Sequence, residues 1–298
     1  METVRVAVVQ AGSVLYDAAT TISKAQGLIA EAASGGARLI VFPEAFVGGY
    51  PKGSDFGARL GSRTPEGRQH FARYHENAID VEGPETALLG RAAKQHGVWL
   101  VIGVIERQAG TLYCTALYFA PDGTLAGKHR KLMPTAMERL IWGFGDGSTL
   151  PVFDTGFGKL GAVICWENYM PLLRAAMYAK GVQLYCAPTV DDREVWQSTM
   201  RHIAVEGRCF VLSACQYSTA AEAPIRGGSV IVNPMGNVLA GPHYDSESIL
   251  TAELDLNEIA QGKFDLDVVG HYARPDVFRL EVNEAPAQPV RFQGYTLP

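Results

Sequence analysis

The stretch Gly158–Pro171, GKLGAVICWENYMP, gives the clearest indication of the fold. Residues Leu160–Ile164 form a short apolar run, which is typical of a strand buried on both faces. The run stops at Cys165, polar residues follow at once, and Pro171 begins a helical pattern. A strand, a sharp turn with a thiol and a helix place a nucleophile at a strand end beside backbone N–H groups. Simple packing of Cys165 in the core is the alternative, because free cysteines are often buried.

Composition indicates a globular protein without a nucleic-acid or membrane partner. The chain has 298 residues, enough for one large α/β domain or two smaller ones, with 47% hydrophobic and 19% charged residues. A net charge of −5 without a basic run argues against nucleic-acid binding. Residues Met1–Val6 lack the pattern of a signal peptide, and no apolar run approaches the ~20 residues that span a bilayer.

The cysteines favour a reducing compartment. Their number is odd and none of them form a Cys-x-x-Cys pair, a pattern that fits free thiols better than a disulfide framework or a zinc site. We therefore expect a cytoplasmic protein with no metal ion. The five cysteines are Cys114, Cys165, Cys186, Cys209 and Cys215.

Strand and helix patterns alternate as far as about residue 280. Strands are predicted at residues 4–10, 39–42, 98–105, 112–119, 124–129, 151–155, 160–164, 182–187, 209–214 and 249–256, with a hairpin at 228–239. Helices are predicted at 17–33 with Asp17 as N-cap, at 66–96 with a break at Gly83-Pro84, at 172–180, and at 192–206 with Asp192 as N-cap. The hairpins exclude purely parallel sheets. We expect one α/β domain over residues 1–280, with packed sheets covered by helices, and a Pro-rich tail at 281–298.

Three polar residues lie directly beside apolar strand patterns. Glu44 follows the second strand, Lys131 follows a hairpin arm, and Cys165 ends the central strand. Sheets hold reactive groups rigidly at strand ends while loops admit substrate. These three groups suffice for covalent catalysis: the thiol attacks, the carboxylate takes its proton, and the ammonium stabilises the negative charge that develops. The alternatives are a turn cap for Glu44, a solvated surface charge for Lys131 and packing for Cys165.

Other catalytic motifs give no support for a different chemistry. Residues Gly156–Gly161 match G-x-G-x-x-G, but a strand follows where a dinucleotide site requires a helix. The chain has no G-x-S-x-G, H-E-x-x-H or Walker motif. Its seven histidines are scattered, so spacing alone leaves a dyad between Cys165 and a histidine open, while His271 is interpreted as structural.

On these residues the chain resembles the nitrilase branch of the carbon–nitrogen hydrolase superfamily. The segments FPEAF at residues 42–46 and GYPKG at 49–53 are similar to the family's glutamate block, HRKLMPT at 129–135 to its lysine block, and CWEN at 165–168 to its nucleophile block. The resemblance implies that Glu44 is the general base, that Lys131 acts electrostatically and that Cys165 is the nucleophile. It also implies an α/β (α+β) four-layer α-β-β-α sandwich that forms a homodimer or a larger homo-oligomer.

Details around the blocks favour true nitrilases. The Cys-Trp-Glu sequence is typical of that branch, whereas aliphatic amidases and carbamoylases carry an aspartate-containing sequence there. Glu138 matches the family's second glutamate, which holds the lysine and positions substrate or water. Residues 192–197, 206–210 and 271–277 also resemble nitrilases. Family members often extend beyond the point that corresponds to Pro298, and their tail helps helical filaments to form, so the resemblance leaves filament formation open for this chain.

The resemblance implies hydrolysis of a small-molecule nitrile to a carboxylic acid and ammonia, through a thioimidate and a thioester on Cys165 and without a cofactor. The Lys131 ammonium is expected to favour the thiolate, and Lys131 and the Trp166 N–H are the candidate oxyanion stabilisers. Amidase, carbamoylase and cyanide hydratase activities are alternatives. A non-catalytic relative is disfavoured because all three reactive residues are present.

Three aromatic residues near the blocks are candidates for substrate binding. Tyr50, Trp142 and Trp166 lie beside the catalytic segments and are predicted to line an aromatic-tolerant pocket. Packing of these side chains in the core or at a dimer contact is the alternative.

Overall fold

The computed structural model, which describes residues 3–221, 223–288 and 290, contains two large β-sheets, one two-stranded sheet and six α-helices. The strands are β1 (Thr3–Gln10), β2 (Leu39–Val41), β3 (Ala58–Arg59), β4 (Ser62–Arg63), β5 (Trp99–Gln108), β6 (Thr111–Phe119), β7 (Leu125–Arg130), β8 (Phe153–Asp154), β9 (Lys159–Ala162), β10 (Leu184–Cys186), β11 (Phe210–Ser213), β12 (Tyr217–Ser218), β13 (Ile225–Val232), β14 (Val238–Tyr244) and β15 (Ser248–Asp255). The helices are α1 (Ala18–Ser34), α2 (Pro65–Glu76), α3 (Pro84–His96), α4 (Pro171–Ala179), α5 (Glu194–Gly207) and α6 (Asn257–Asp265).

Each of the two large sheets has a parallel centre and antiparallel edges. The first sheet has the order β15-β1-β2-β5-β6-β7, in which β1, β2 and β5 are parallel. The second has the order β12-β13-β11-β10-β9-β8, in which β9, β10 and β11 are parallel, and β14 pairs with β13. The short strands β3 and β4 pair only with each other. The predicted mixture of parallel and antiparallel pairs is confirmed.

Alternation along β1 shows how the layers pack. Val4, Val6 and Val8 belong to a core shared with β9, β10 and β11, and β1 contacts β13 of the other sheet. Ala7 and Val9 point the opposite way, into a core shared with α1 and α3. The outer face of the second sheet packs on α4 and α5, through residues such as Val163, Met177, Trp196, Met200 and Val211. The predicted four-layer α-β-β-α sandwich is therefore confirmed, and each fully buried aliphatic side chain stabilises it by roughly 1.5–3 kcal/mol.

Most predicted helix ends are confirmed, and one N-cap is wrong. Asp17 caps α1 by accepting a 2.9 Å hydrogen bond from Thr20 N, and the break between α2 and α3 covers residues 77–83. Arg193, not Asp192, precedes the first residue of α5. The Asp192 carboxylate instead accepts a 2.9 Å hydrogen bond from Arg226 N, because the start of β13 lies beside it.

The patterns missed three features and leave the C-terminal tail as a prediction. The helix α6, the strand β12 and the pair β3–β4 are not evident from the sequence patterns. Residues 281–288 and 290 have no helix or strand, and residues 289 and 291–298 lie outside the described part of the chain.

Among the described residues, no helix combines the length and hydropathy that crossing a bilayer requires.

Gly103 lets β5 pass directly against the segment that carries Glu44. Gly103 N donates a 3.1 Å hydrogen bond to Pro43 O, and Gly103 O accepts one of 3.1 Å from Val47 N. A Cβ atom at position 103 would lie 2.2 Å from Pro43 O and 2.6 Å from Ala45 N. Only glycine permits this approach, so β5 fixes the position of Glu44.

We expect Gly103→Ala to lower the free energy of unfolding by about 1–3 kcal/mol, because the new methyl group must displace backbone atoms. Urea unfolding measures the change. Gly110→Ala in the β5–β6 turn is the matched control, since a Cβ there meets no atom within 4 Å. Equal stability of the two variants would contradict the close packing of β5 on the Glu44 segment.

Candidate active site

Cys165 lies at a strained elbow after β9. It begins a 3-10 turn, Cys165–Tyr169, and its φ of 51° is in the left-handed region that side-chain-bearing residues rarely adopt. Such a conformation costs on the order of 1–3 kcal/mol and persists only where neighbours impose it. Here Cys165 N donates to Pro188 O at 2.9 Å, and Asn168 Nδ2 donates to Cys165 O at 2.8 Å. The strand, turn and helix predicted for this stretch are present.

The structure brings Glu44, Lys131 and Glu138 together beside Cys165. Lys131 Nζ donates to Glu44 Oε1 at 2.6 Å and to Glu138 Oε2 at 2.8 Å. The side chains of Glu44 and Lys131 are fully buried. Neither a surface position for Lys131 nor a simple turn cap for Glu44 fits this arrangement. Two carboxylates thus share one buried ammonium group.

Glu138 is held in place from two sides. Its Oε2 accepts a 2.6 Å hydrogen bond from Thr135 N at the start of the 3-10 turn Ala136–Leu140. Its Oε1 accepts one of 2.7 Å from the hydroxyl of Tyr50. Tyr50 is therefore bound to the charged cluster as well as exposed to the cavity described below.

Burial sets the protonation of the cluster. It raises the pKa of Glu44 above its usual value, although the Lys131 ammonium opposes this. Burial acts to lower the pKa of Lys131, but Glu44 and the other nearby acidic groups outweigh it and raise that pKa well above its usual value. The pKa of the Cys165 thiol is also raised well above its usual value, by burial and then by the charge of Glu44. Lys131 acts to lower the pKa of Cys165, in the direction expected of it, but burial and Glu44 outweigh this effect.

One further contact near Cys165 was not predicted from the sequence. The hydroxyl of Thr189 donates to Cys165 Sγ at 3.2 Å, and both residues are buried. Glu44 Oε2 has no hydrogen-bond partner within the usual distance among the described residues, and an interaction with the Cys165 thiol acts to lower the pKa of Glu44.

A buried Glu167–His129 pair joins the cysteine and lysine segments. The Glu167 carboxylate accepts hydrogen bonds from Ile164 N at 2.9 Å, from Leu132 N at 2.5 Å and from His129 Nε2 at 3.0 Å. Glu167 therefore connects the residue before Cys165 to the residue after Lys131. In the sequence, the only indication of this pair was that His129 and Glu167 lie within the HRK and CWE segments that carry Lys131 and Cys165.

Both ring nitrogens of His129 face hydrogen-bond acceptors. Its Nδ1 lies 2.6 Å from the carbonyl oxygen of Thr149, which can only accept, and its Nε2 faces the Glu167 carboxylate. Burial acts to lower the pKa of His129, but Glu167 outweighs it and raises that pKa above its usual value. This geometry and the raised pKa favour the protonated form of His129 paired with Glu167, and the dyad between Cys165 and a histidine that the spacing left open is not formed by His129.

Two adjoining cavities lead to the thiol. One of about 270 Å³ reaches Cys165 itself, and another of about 370 Å³ extends away from it. The first is lined by Tyr50, Lys52, Thr135, Glu138, Cys165, Trp166, Val190, Asp191, Asp192 and Arg193. The second is lined by residues 50–56 and 135–138 together with Ile141 and Trp142.

The structure places all three candidate pocket aromatics at the cavity walls. Tyr50 borders both cavities, Trp166 the first and Trp142 the second. Trp142 is also 96% buried, and its ring centroid lies 5.6 Å from that of Tyr50. The Trp142 side chain therefore both packs in the core and lines the cavity. Trp166 is 42% exposed, and its Nε1 donates to Asp191 Oδ2 at 2.9 Å. Within the described residues, no group of three or more His, Cys, Asp or Glu side chains is placed to hold a metal ion.

The raised pKa of His129 predicts a pH-dependent stability. A histidine whose pKa is raised on folding stabilises the protein fully below its unfolded value of 6.5, and this contribution is lost as pH rises through the folded value. The free-energy difference between the wild type and His129→Gln should therefore shrink above pH 6.5, by at most ~1.4 kcal/mol per pH unit. Urea unfolding at pH 6 and pH 9 measures it, and the exposed His271→Gln is the control. A pH-independent difference would contradict the imidazolium.

Comparison with known proteins identifies the family. The family model described as carbon-nitrogen hydrolase matches residues 5–264. The chain is 61% identical over 301 residues to an aliphatic nitrilase of Sinorhizobium fredii (strain HH103), covering 96% of this chain and 97% of that protein. It is 57% identical over 310 residues to a bifunctional nitrilase/nitrile hydratase of Lupinus angustifolius, covering 97% and 89%.

A solved structure shares the fold. The crystal structure of Saccharomyces cerevisiae Nit3, a member of branch 10 of the nitrilase superfamily, superposes with a TM-score of 0.75 at 24% identity and covers 91% of this chain and 97% of that one. With a family model that covers most of its length and relatives above 50% identity, this chain belongs to the carbon–nitrogen hydrolase family.

Proposed function

We propose that the protein is a nitrilase, which converts a nitrile and two water molecules into a carboxylic acid and ammonia. The observation that carries the proposal is the buried thiol of Cys165 at a strained elbow, open to a cavity and adjacent to Glu44 and the Lys131 ammonium. Relatives that are 54–61% identical and named nitrilases support it. We propose that Glu44, Lys131, Glu138 and Cys165 carry out this reaction.

In the first step Cys165 attacks the nitrile carbon. Glu44 accepts the thiol proton as the carbon–sulfur bond forms, and one C≡N π-bond opens onto nitrogen, which takes up a proton to give a thioimidate. The raised pKa values of Glu44 and Cys165 suit a transfer that accompanies attack rather than precedes it. The Lys131 ammonium and the backbone N–H of Trp166 stabilise the negative charge that develops on nitrogen.

Water then completes the reaction. Glu44 deprotonates a water molecule that adds to the thioimidate carbon, and the tetrahedral intermediate expels ammonia to leave a thioester. A second water cleaves the thioester, releases the acid and restores the thiol. Glu138 keeps Lys131 in position through its 2.8 Å hydrogen bond. We propose that Tyr50, Trp142 and Trp166 contact the substrate.

Amide release is the second candidate outcome. If the tetrahedral intermediate expels the thiol instead of ammonia, the product is an amide, as the name nitrile hydratase describes for the Lupinus relative. Amidase, carbamoylase and cyanide hydratase activities would use the same residues. The ratio of acid to amide formed from a panel of aliphatic and arylaliphatic nitriles, with cyanide and simple amides as further substrates, separates these possibilities.

We also propose that residues 1–280 form one catalytic domain, that residues 281–298 are a tail, and that the protein assembles as a homodimer or a larger homo-oligomer. Two exposed apolar side chains support assembly, Leu172 on α4 at 68% and Val195 on α5 at 53%. All five cysteines are free, which supports a cytoplasmic location. The proposed reaction needs neither a metal ion nor an organic cofactor.

We expect Cys165→Ala to reduce turnover by at least about 10³-fold, since no other group can form the covalent intermediate. Ammonia and acid released from the nitrile panel measure the loss, and circular dichroism reports the fold. Cys209→Ala, which removes another buried thiol, is the matched control and should keep near wild-type turnover. Substantial nitrile hydrolysis by Cys165→Ala would refute the proposed mechanism.

The raised pKa of Glu44 predicts the acid limb of the pH–rate profile. Glu44 must be ionised to accept the thiol proton, so kcat/KM falls as pH drops through its pKa, and the midpoint should lie above the usual glutamate value of 4.5. Initial rates between pH 4 and pH 9 locate this midpoint. Glu44→Gln should lose about 10²- to 10⁴-fold in kcat. A midpoint at or below 4.5 would exclude a buried general base.

A further inference from the structure

We propose that Thr189 is a catalytic residue of the nitrilase reaction, in which its hydroxyl donates a hydrogen bond to Cys165 Sγ and stabilises the negative charge that sulfur carries when it has lost its proton. The inference rests on the proposed function, because it concerns the same nucleophile. It begins from the 3.2 Å contact between Thr189 Oγ1 and Cys165 Sγ.

The backbone holds Thr189 firmly beside the elbow. Thr189 follows β10, the strand that pairs with β9, and its side chain is fully buried. Thr189 N donates to Ala214 O at 2.8 Å, and Thr189 O accepts from Gln216 N at 3.2 Å. The branched Cβ further restricts the side-chain rotamer. The hydroxyl is therefore presented to sulfur by the sheet and not by a mobile loop.

A second hydrogen bond leaves the hydroxyl proton of Thr189 available for sulfur. The backbone N–H of Asp191 donates to Thr189 Oγ1 at 2.9 Å. A hydroxyl has one proton to donate, and it accepts through its lone pairs. Because Asp191 N occupies an acceptor position, the Thr189 proton is available for Sγ. A hydrogen bond to an ionised acceptor is roughly twice as strong as one between neutral groups.

The charges of the cluster explain why a neutral donor is useful here. Lys131 carries one positive charge and is engaged by two carboxylates, those of Glu44 and Glu138. Negative charge on Cys165 Sγ therefore develops in a buried site where the charges of the carboxylates already balance or exceed that of the ammonium. The Thr189 hydrogen bond lowers the pKa of Cys165, against the larger effects of burial and of Glu44. It does so without adding a charge that would have to be buried.

The strength of the hydrogen bond from Thr189 to sulfur changes along the reaction. Sulfur is most negative while the thiol proton moves to Glu44, and again when the thioester releases it. In the thioimidate and the thioester, sulfur is bonded to carbon and is a weak acceptor. The hydrogen bond from Thr189 thus strengthens where sulfur carries charge, which is the condition for lowering a barrier rather than binding the ground state more tightly.

Thr189→Val tests the proposal because it keeps the side-chain shape and removes the hydroxyl. We expect kcat to fall about 10- to 100-fold, with KM within about threefold, since a hydrogen bond to a charged group is lost. The rate of Cys165 alkylation by iodoacetamide, localised by mass spectrometry, should fall at neutral pH, and its pH midpoint should rise. Thr189→Ser, which restores the hydroxyl, should recover both rates to within about fivefold of the wild type.

Thr115→Val is the matched control. Thr115 is also fully buried and donates to a carboxylate, Glu106 Oε2 at 2.9 Å, but it does not contact Cys165. This variant should leave kcat and the alkylation rate near wild-type values whatever its stability. If Thr189→Val does not fold, Thr189→Ala and Thr189→Ser replace it, since both lack the methyl group and only serine keeps the hydroxyl.

Two results would overturn the proposal: wild-type alkylation and turnover in Thr189→Val, or equal impairment of the serine variant and its hydroxyl-free counterpart. The second result would mean that Thr189 acts by packing alone. Alkylation needs no nitrile, so it tests the contact even if the wild-type protein hydrolyses no member of the nitrile panel. In that case the proposed function fails, while the effect of Thr189 on the thiol is still decided.

Discussion

The site depends on one buried ammonium group. Removing an unpaired charge from water costs several kcal/mol, so Lys131 is stable inside the protein only because Glu44 and Glu138 lie within 2.8 Å of it. These residues come from three separate segments, after β2, after β7 and in the turn Ala136–Leu140. Satisfying the ammonium therefore fixes three loops together and creates the negative surroundings in which the thiol stays protonated.

Backbone strain recurs beside the reactive side chains. Cys165 itself, Ala45 after Glu44 and Ala136 before Met137 all have φ values between 48° and 51°. None of them is glycine, so each conformation is imposed by the packing and hydrogen bonds around it. Close contacts such as that of β5 at Gly103 supply this constraint. The free-energy cost of these three strained backbone conformations is compatible with a site whose geometry must change little during turnover.

The sequence patterns located the strand ends but not the contacts across the fold. Glu44 and Cys165 were evident because each ends an apolar run, and Glu138 was assigned only through the family resemblance. Thr189 and the Glu167–His129 pair could not be predicted, because strand order and packing decide which residues meet. The raised pKa of Cys165 could not be predicted for a related reason, since burial depends on the whole fold. Asp192 shows that a good N-cap residue can be taken by a competing backbone donor.

The four layers have a further consequence for the chemistry. Glu44 and Lys131 follow strands of the first sheet, whereas Cys165 and Thr189 follow strands of the second. The valines of β1 and the facing residues of β9 to β11 act as a spacer that sets the distance from base to nucleophile. A change of side-chain volume deep in that layer alters the alignment of reacting groups without touching them. Core residues thus help to determine the alignment of base and nucleophile as well as the stability of the fold.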